Sequence, residues 1–196
     1  MNGIERVTLA GSVIRGTLGF AAVSLVAFSV WAYGASWIRG RFGEVGLYAG
    51  IAIVFLAASG LVLHRLAGGM ARFYKAFIPS FLAYAIVWSA IWFAMQSRLG
   101  EWLATLAGTA VFALVASLIL GRPRAWPKAA AVLFGTHVVG YFLGGVVYYE
   151  CKEPAAMEAL GESYRVVGRL GWGLLYGLGF GAGLGYTFFA LRRETE

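Results

Sequence analysis

Aspartate does not occur in this 196-residue chain, and side-chain amides are limited to Asn2 and Gln96. The nine acidic residues are all Glu, and each falls between or at the edge of the long apolar stretches. That excludes a di-carboxylate metal cage or an acidic proton relay inside those stretches. The single cysteine, Cys151, excludes an intramolecular disulfide and leaves a free thiol or a link between two chains. Two histidines, His64 and His137, are too few for a zinc site built from three or four protein ligands, so no metal site and no catalytic constellation is expected. Charged residues make up 13% of the chain, where a soluble domain carries about 25%. With 60% apolar residues and a mean hydropathy of +0.75, an ordinary soluble domain, a disordered chain and a disulfide scaffold are excluded.

What is present is long hydrophobic sequence. A bilayer core about 30 Å thick requires about 20 apolar residues in a helix. Six stretches meet that length, near residues 16–38, 45–64, 77–95, 102–120, 129–149 and 168–191. The expected fold class is an all-α integral membrane protein, one domain over residues 1–196: a bundle of six transmembrane helices with short loops. The runs are continuous rather than alternating, which argues against a membrane β-barrel. The first is too long for the core of a cleavable signal, so it is read as a retained helix. Before it, Ile4, Val7, Gly11 and Ile14 share one helical face, and Glu5, Thr8, Ser12 and Arg15 another, predicting a separate interfacial helix over 3–15.

Charge predicts the orientation. Six crossings place both termini on one side, together with Arg6, Arg15, Arg65, Arg72, Lys75, Arg122, Arg124, Lys128, Arg192 and Arg193. The other side carries Arg39, Arg41, Arg98, Lys152, Arg165 and Arg169. The richer side is expected in the cytoplasm, for a multi-pass protein of the cell (inner) membrane. The net charge of +7 then follows from topology, and no nucleic-acid partner is expected. The expected partners are membrane lipids, with other membrane subunits or a second copy of the chain. Trp37, Trp102 and Trp172 read as anchors at the outer interface and Trp126 at the inner one. Between Glu150 and Val167, the residues Met157, Leu160 and Tyr164 oppose Glu158, Glu162 and Arg165, predicting a short surface helix. Pro127 and Pro79 are expected in the first turns of the fifth and third spans, where a missing N–H costs little.

Three features carry the candidate sites. His137 lies near the middle of the fifth span, and an ionisable group at that depth is a functional hypothesis by default. Its helical neighbours Gly140, Tyr141, Gly144 and Tyr148 mark an interior-facing stripe. It either contacts a ligand, metal or haem, or bonds across helices to a hydroxyl such as Tyr176, Tyr186 or a serine. In the sixth span Gly173, Gly177, Gly181 and Gly185 recur every four residues, with Gly179 and Gly183 alongside. Small residues at that spacing let helix backbones approach closely, and Gly140 and Gly144 offer a matching strip on the fifth span. The surplus of glycine asks for a second neighbouring helix or a cavity. In the third span Phe77, Phe81, Tyr84, Trp88 and Trp92 form one ladder of rings. It is either the wall of a site for a flat apolar ligand or ordinary packing against core or lipid. The candidate ligand-binding residues are therefore His137, Tyr141, Tyr84, Trp88 and Trp92, and no motif identifies a cofactor.

Two resemblances bear on function. Ala57-Ala58-Ser59-Gly60 resembles the serine motif of rhomboid proteases, which are also six-span bundles with a Ser and a His on separate helices. Here Ala57 replaces the motif's leading glycine, and Ser59 is expected nearer the inner face than His137, which argues against a catalytic pair. The size, the six spans and the glycine-rich packing resemble the substrate-capturing subunits of energy-coupling-factor vitamin importers. The stretch Gly135-Thr-His-Val-Val-Gly-Tyr-Phe-Leu-Gly144 is similar to glycine-rich helices of their biotin-binding members, although Ala21, Ala22 and Ala27 are a poor match to the usual alanine-rich docking helix. The expected function is a non-enzymatic transport component: a permease, a channel subunit or the substrate-binding membrane subunit of an importer. The alternatives are an accessory subunit of a membrane complex and a binder of a hydrophobic cofactor or lipid.

Overall fold

The computed structural model describes residues 8–192, and among them every regular element is helical. α1 spans Leu9–Leu63, α2 Met70–Met95, α3 Arg98–Ile119, α4 Trp126–Glu150, α5 Pro154–Leu160 and α6 Tyr164–Ala190. Single 3₁₀ turns at His64–Ala67, Pro123–Ala125 and Gly161–Ser163 join α1 to α2, α3 to α4 and α5 to α6. Four helical stretches, Leu9–Ala67, Met70–Met95, Arg98–Ile119 and Pro123–Glu150, are long and apolar enough to cross a membrane. α6 is as long as α2 but less apolar, because eight of its 27 residues are glycine.

The first two apolar stretches form one helical element of 55 residues rather than two helices joined by a loop. It reverses at Gly43, whose φ of 67° and ψ of −168° are open to glycine and strained for other residues. The arms 9–42 and 44–63 then lie side by side in opposite directions: Gly50 meets Val30, Gly19 meets Leu63, and the Phe20 and Phe55 rings stack at 5.2 Å. An Arg39–Glu44 ion pair at 2.7 Å straddles the reversal.

The expected separate interfacial helix is not seen over residues 9–15, which are the opening turns of α1 itself; residues 3–7 of that expectation lie outside the described residues. Thr8 caps the helix by accepting from Gly11 N–H at 3.0 Å. Ser12 and Gly16 are buried against α6, so this segment is held by protein packing. α2 begins seven residues earlier than its apolar run, because Phe73 and Ala76 are buried on the core face of a basic first turn. Pro79 consequently sits inside α2 and not in its first turn, leaving the Lys75 carbonyl without its usual donor. Pro127 does occupy the first turn of α4. α5 supplies a short helix after Glu150, with Met157 and Leu160 exposed, but the expected helix is only partly seen: Glu162 lies in the 3₁₀ turn that follows, and Tyr164 and Arg165 open α6, because Gly161 ends α5.

α6 is the central helix, packed between the first arm of α1 and α4. The two ends of the bundle differ in charge. At the end holding Gly43, Glu44, Glu101, Glu150, Glu153, Glu158 and Glu162 offset the Lys and Arg residues. At the other end Arg15, Arg65, Arg72, Lys75, Arg122, Arg124, Lys128 and Arg192 stand without any acid among the described residues. Two of these cations tie the chain together there. Arg122 donates to the Arg192 carbonyl at 2.7 Å, and Arg192 donates to the Leu66 and Arg65 carbonyls at 2.9 and 2.8 Å. Burial, with Arg15 and Arg72 nearby, lowers the Arg192 guanidinium below its ordinary value.

Candidate functional site

A ring of aromatic side chains encloses a cavity of about 360 Å³ between α1, α2, α4 and α6. The ring can be followed from contact to contact. On α2, Trp92 stacks on Trp88 with centroids 6.0 Å apart, and Trp88 meets Tyr141 of α4 edge-on at 6.0 Å. Tyr141 meets Trp172 of α6 at 5.5 Å, and Trp172 meets Trp31 of α1 at 5.9 Å. From Trp31 the belt continues through Phe28 to Tyr176 at 5.8 Å, then to Phe55 at 5.9 Å. Phe55 contacts Phe81 at 5.5 Å, and Phe81 contacts Tyr84 at 5.8 Å, which returns the belt to α2. All ten rings line the cavity. Arg39, Glu101 and Tyr149 line it as well, and each lies near a helix end on the Gly43 side of the bundle. The space therefore runs from mid-bundle toward that end.

Glycine seats these rings. A Cβ on Gly108 of α3 would come within 2.8 Å of the Tyr84 ring, and one on Gly173 within 2.6 Å of Phe28. Gly144 gives its space to the Trp172 indole, whose Cγ would lie 3.0 Å from a Cβ there. Of the expected packing ladder, then, Gly144 and Gly173 hold aromatic rings, whereas Gly140, Gly177, Gly181 and Gly185 allow backbones to cross. The partner of the ladder also differs from expectation. Gly177, Gly181 and Gly185 pack on the first arm of α1, at Ala21 and Ser24, at Gly16 and Phe20, and at Ser12 and Val13. The adjoining strip, Gly179 and Gly183, is what meets α4, at Gly140 and Thr136 and at Leu133. The second helix that the surplus glycine asked for is thus α1 of the same chain. Ser24 adds a buried hydrogen bond to the Gly173 carbonyl at 2.6 Å.

Of the candidate ligand-binding residues, Tyr84, Trp88, Trp92 and Tyr141 line the cavity, and His137 stands behind them. His137 is fully buried, with Tyr84, Tyr141, Tyr176 and Phe180 around its ring at 5.2–5.8 Å between centroids. Its Nε2 lies 3.4 Å from the Tyr84 hydroxyl. That partner belongs to the aromatic ladder of α2 and is neither Tyr176, Tyr186 nor a serine. Nδ1 has no hydrogen-bond partner. Ser59 is buried and unpaired, and the His137 contact goes to Tyr84, so the two do not form a nucleophile–base pair. Among the described residues no three His, Cys or Glu side chains gather as metal ligands would.

Several wall residues carried no signal of their own in the sequence. Trp172 reads as an interface anchor, but Gly144 lets it turn inward, and its Nε1 is buried. Trp31, Phe28, Phe55 and Tyr176 look like ordinary residues of apolar helices until the fold-back at Gly43 and the glycine crossings bring them together. Arg169 steadies this wall: it donates to the Trp31 carbonyl at 2.9 Å, with its guanidinium carbon 5.1 Å from the Trp31 ring centre. Comparison with family models, with curated proteins and with solved structures finds no match to this chain.

Proposed function

We propose that this chain crosses a membrane six times, termini in the cytoplasm, and captures a small ring-bearing solute as a component of a transport system. Ten aromatic rings, each in contact with the next, lining about 360 Å³ are the observation that carries the reading. Ligand pockets begin at about 300 Å³ and are mostly apolar with a few polar groups at defined places, which is the character of this wall. The two arms of α1 and helices α2, α3, α4 and α6 account for the six crossings. The charge difference between the bundle ends supports the orientation, with the acid-free end inside and the cavity opening outward. α6 tolerates its low hydropathy in a membrane because α1 and α4 cover it. The role is binding, with no catalytic step assigned.

Opening outward suits a capture component that takes its solute from outside. A resident cofactor is the second reading, favoured by the largely apolar wall. The test is to purify the chain in native lipid discs and identify small molecules released on denaturation. A ring-bearing solute that exchanges with added solute supports capture. A ligand present in stoichiometric amount that does not exchange supports the resident cofactor. No ligand retained, and none bound on addition, overturns both.

A further inference from the structure

We infer that the solute is an organic cation, held in the cavity with its positive group against the Trp88, Trp92 and Tyr141 rings and beside the Glu101 carboxylate. The inference rests on the cavity reading above and names the class of its occupant. Aromatic faces carry negative potential, and clustered Trp and Tyr faces are a recognised way to hold an ammonium group. The chain already shows this preference on its own cations: Lys152 lies 3.8 Å from the Tyr148 ring centre and Arg169 lies over Trp31. No such internal cation covers Trp88, Trp92, Tyr141 or Trp172 among the described residues, and all four line the cavity, where their remaining ring surface meets its contents.

The charged groups at the mouth point the same way. Only Arg39 and Glu101 line the cavity. Arg39 is neutralised by Glu44 at 2.7 Å. Glu101 has a much looser partner, Arg98 at 3.9 Å, and Arg98 is 76% exposed to solvent whereas the Glu101 side chain is 15% exposed. The wall therefore presents one weakly compensated negative charge and no uncompensated positive one. An anionic solute would meet Glu101 with only the paired Arg39 and the solvent-exposed Arg98 to balance it. A neutral solute would use the rings and leave the carboxylate idle. Lys152 and Arg169 do not line the cavity, and Arg169 is committed to the Trp31 and Ala32 carbonyls.

Two probes of nearly the same shape separate charge from ring area: phenyltrimethylammonium and tert-butylbenzene. Binding is followed by tryptophan emission of the full chain in discs of zwitterionic lipid. The cation should saturate the signal and bind at least about tenfold more tightly than its neutral isostere, as expected for a partly desolvated cation–π site. Glu101→Gln should weaken the cation by about tenfold and leave tert-butylbenzene unchanged. Trp88→Leu should weaken both. Equal or tighter binding of tert-butylbenzene, or tighter binding of benzenesulfonate, overturns the charge assignment and leaves the cavity reading standing. Failure of every probe to bind overturns both.

Discussion

The crossing of α1 and α6 makes a quantitative prediction from two glycines that differ only in surroundings. A Cβ placed on Gly181 would overlap the Gly16 carbonyl oxygen and lie 2.9 Å from Phe20 Cβ and 3.0 Å from the Gly16 carbonyl carbon. Ordinary carbon contacts sit near about 3.5–4.0 Å, so the helices must part by roughly 1 Å to admit one methyl group. Overpacking of that kind costs about 1–3 kcal/mol. Against it, alanine gains about 1 kcal/mol over glycine in a helix interior. At Gly135 of α4 an added Cβ meets nothing within 4 Å, so Gly135→Ala keeps the helix gain and avoids the clash. The propensity term cancels in the difference, and Gly181→Ala should be about 1–3 kcal/mol less stable than Gly135→Ala. Unfolding each variant from mild-detergent micelles by titration with sodium dodecyl sulfate, followed by tryptophan emission, measures that difference. Equal stability of the two variants would refute the close crossing of α1 and α6.

Three further predictions use other parts of the structure. Gly43→Ala forces a Cβ into a backbone conformation that costs about 1–3 kcal/mol, so the fold-back of α1 should loosen and the thermal midpoint fall, whereas Gly40→Ala, in open space, should not lower it. His137→Leu removes the imidazole beside the buried Tyr84 hydroxyl and should cost about 1 kcal/mol in the same titration, while His137→Gln restores a polar neighbour and should recover part of the loss; an unperturbed Leu variant would show that the 3.4 Å contact contributes nothing. Cys151, half-buried at the end of α4, should react in intact cells with a membrane-impermeant thiol reagent, and labelling only after permeabilisation would invert the proposed orientation.

Helix content and the apolar stretches of α2, α3 and α4 are legible in the sequence because continuous apolar runs admit few alternatives, whereas the basic opening turns of α2 are not. The shape of the first hairpin is not: Arg39, Gly40, Arg41, Phe42 and Glu44 look like a polar loop, and only the positive φ at Gly43 reduces that loop to a single residue of reversal. The glycine ladder is visible as a packing strip, yet its partner is not, since periodicity fixes which residues share a face and says nothing about what lies opposite. The aromatic ladder of α2 is legible for the same reason, and it supplies Phe81, Tyr84, Trp88 and Trp92 to the wall. The opposite wall escapes a reading of single helices. Trp172 shows the physical cause: an indole near a span end sits equally well in an interface, and the space vacated by Gly144 decides between the two. His137 is recognisable by its depth, but its partner comes from a helix 53 residues away in sequence.

The central claim is that the aromatic enclosure is an occupied site, and filling it tests that directly. Ala85 of α2 lines the cavity, so Ala85→Phe adds a ring to the space without removing any of the ten wall rings. In lipid discs the wild-type chain should give a saturable change in tryptophan emission with phenyltrimethylammonium and release bound solute on denaturation. The Ala85→Phe chain should do neither, while keeping its helix content and its thermal midpoint within a few degrees. Undiminished binding in a folded Ala85→Phe protein would place the ligand elsewhere and contradict the account.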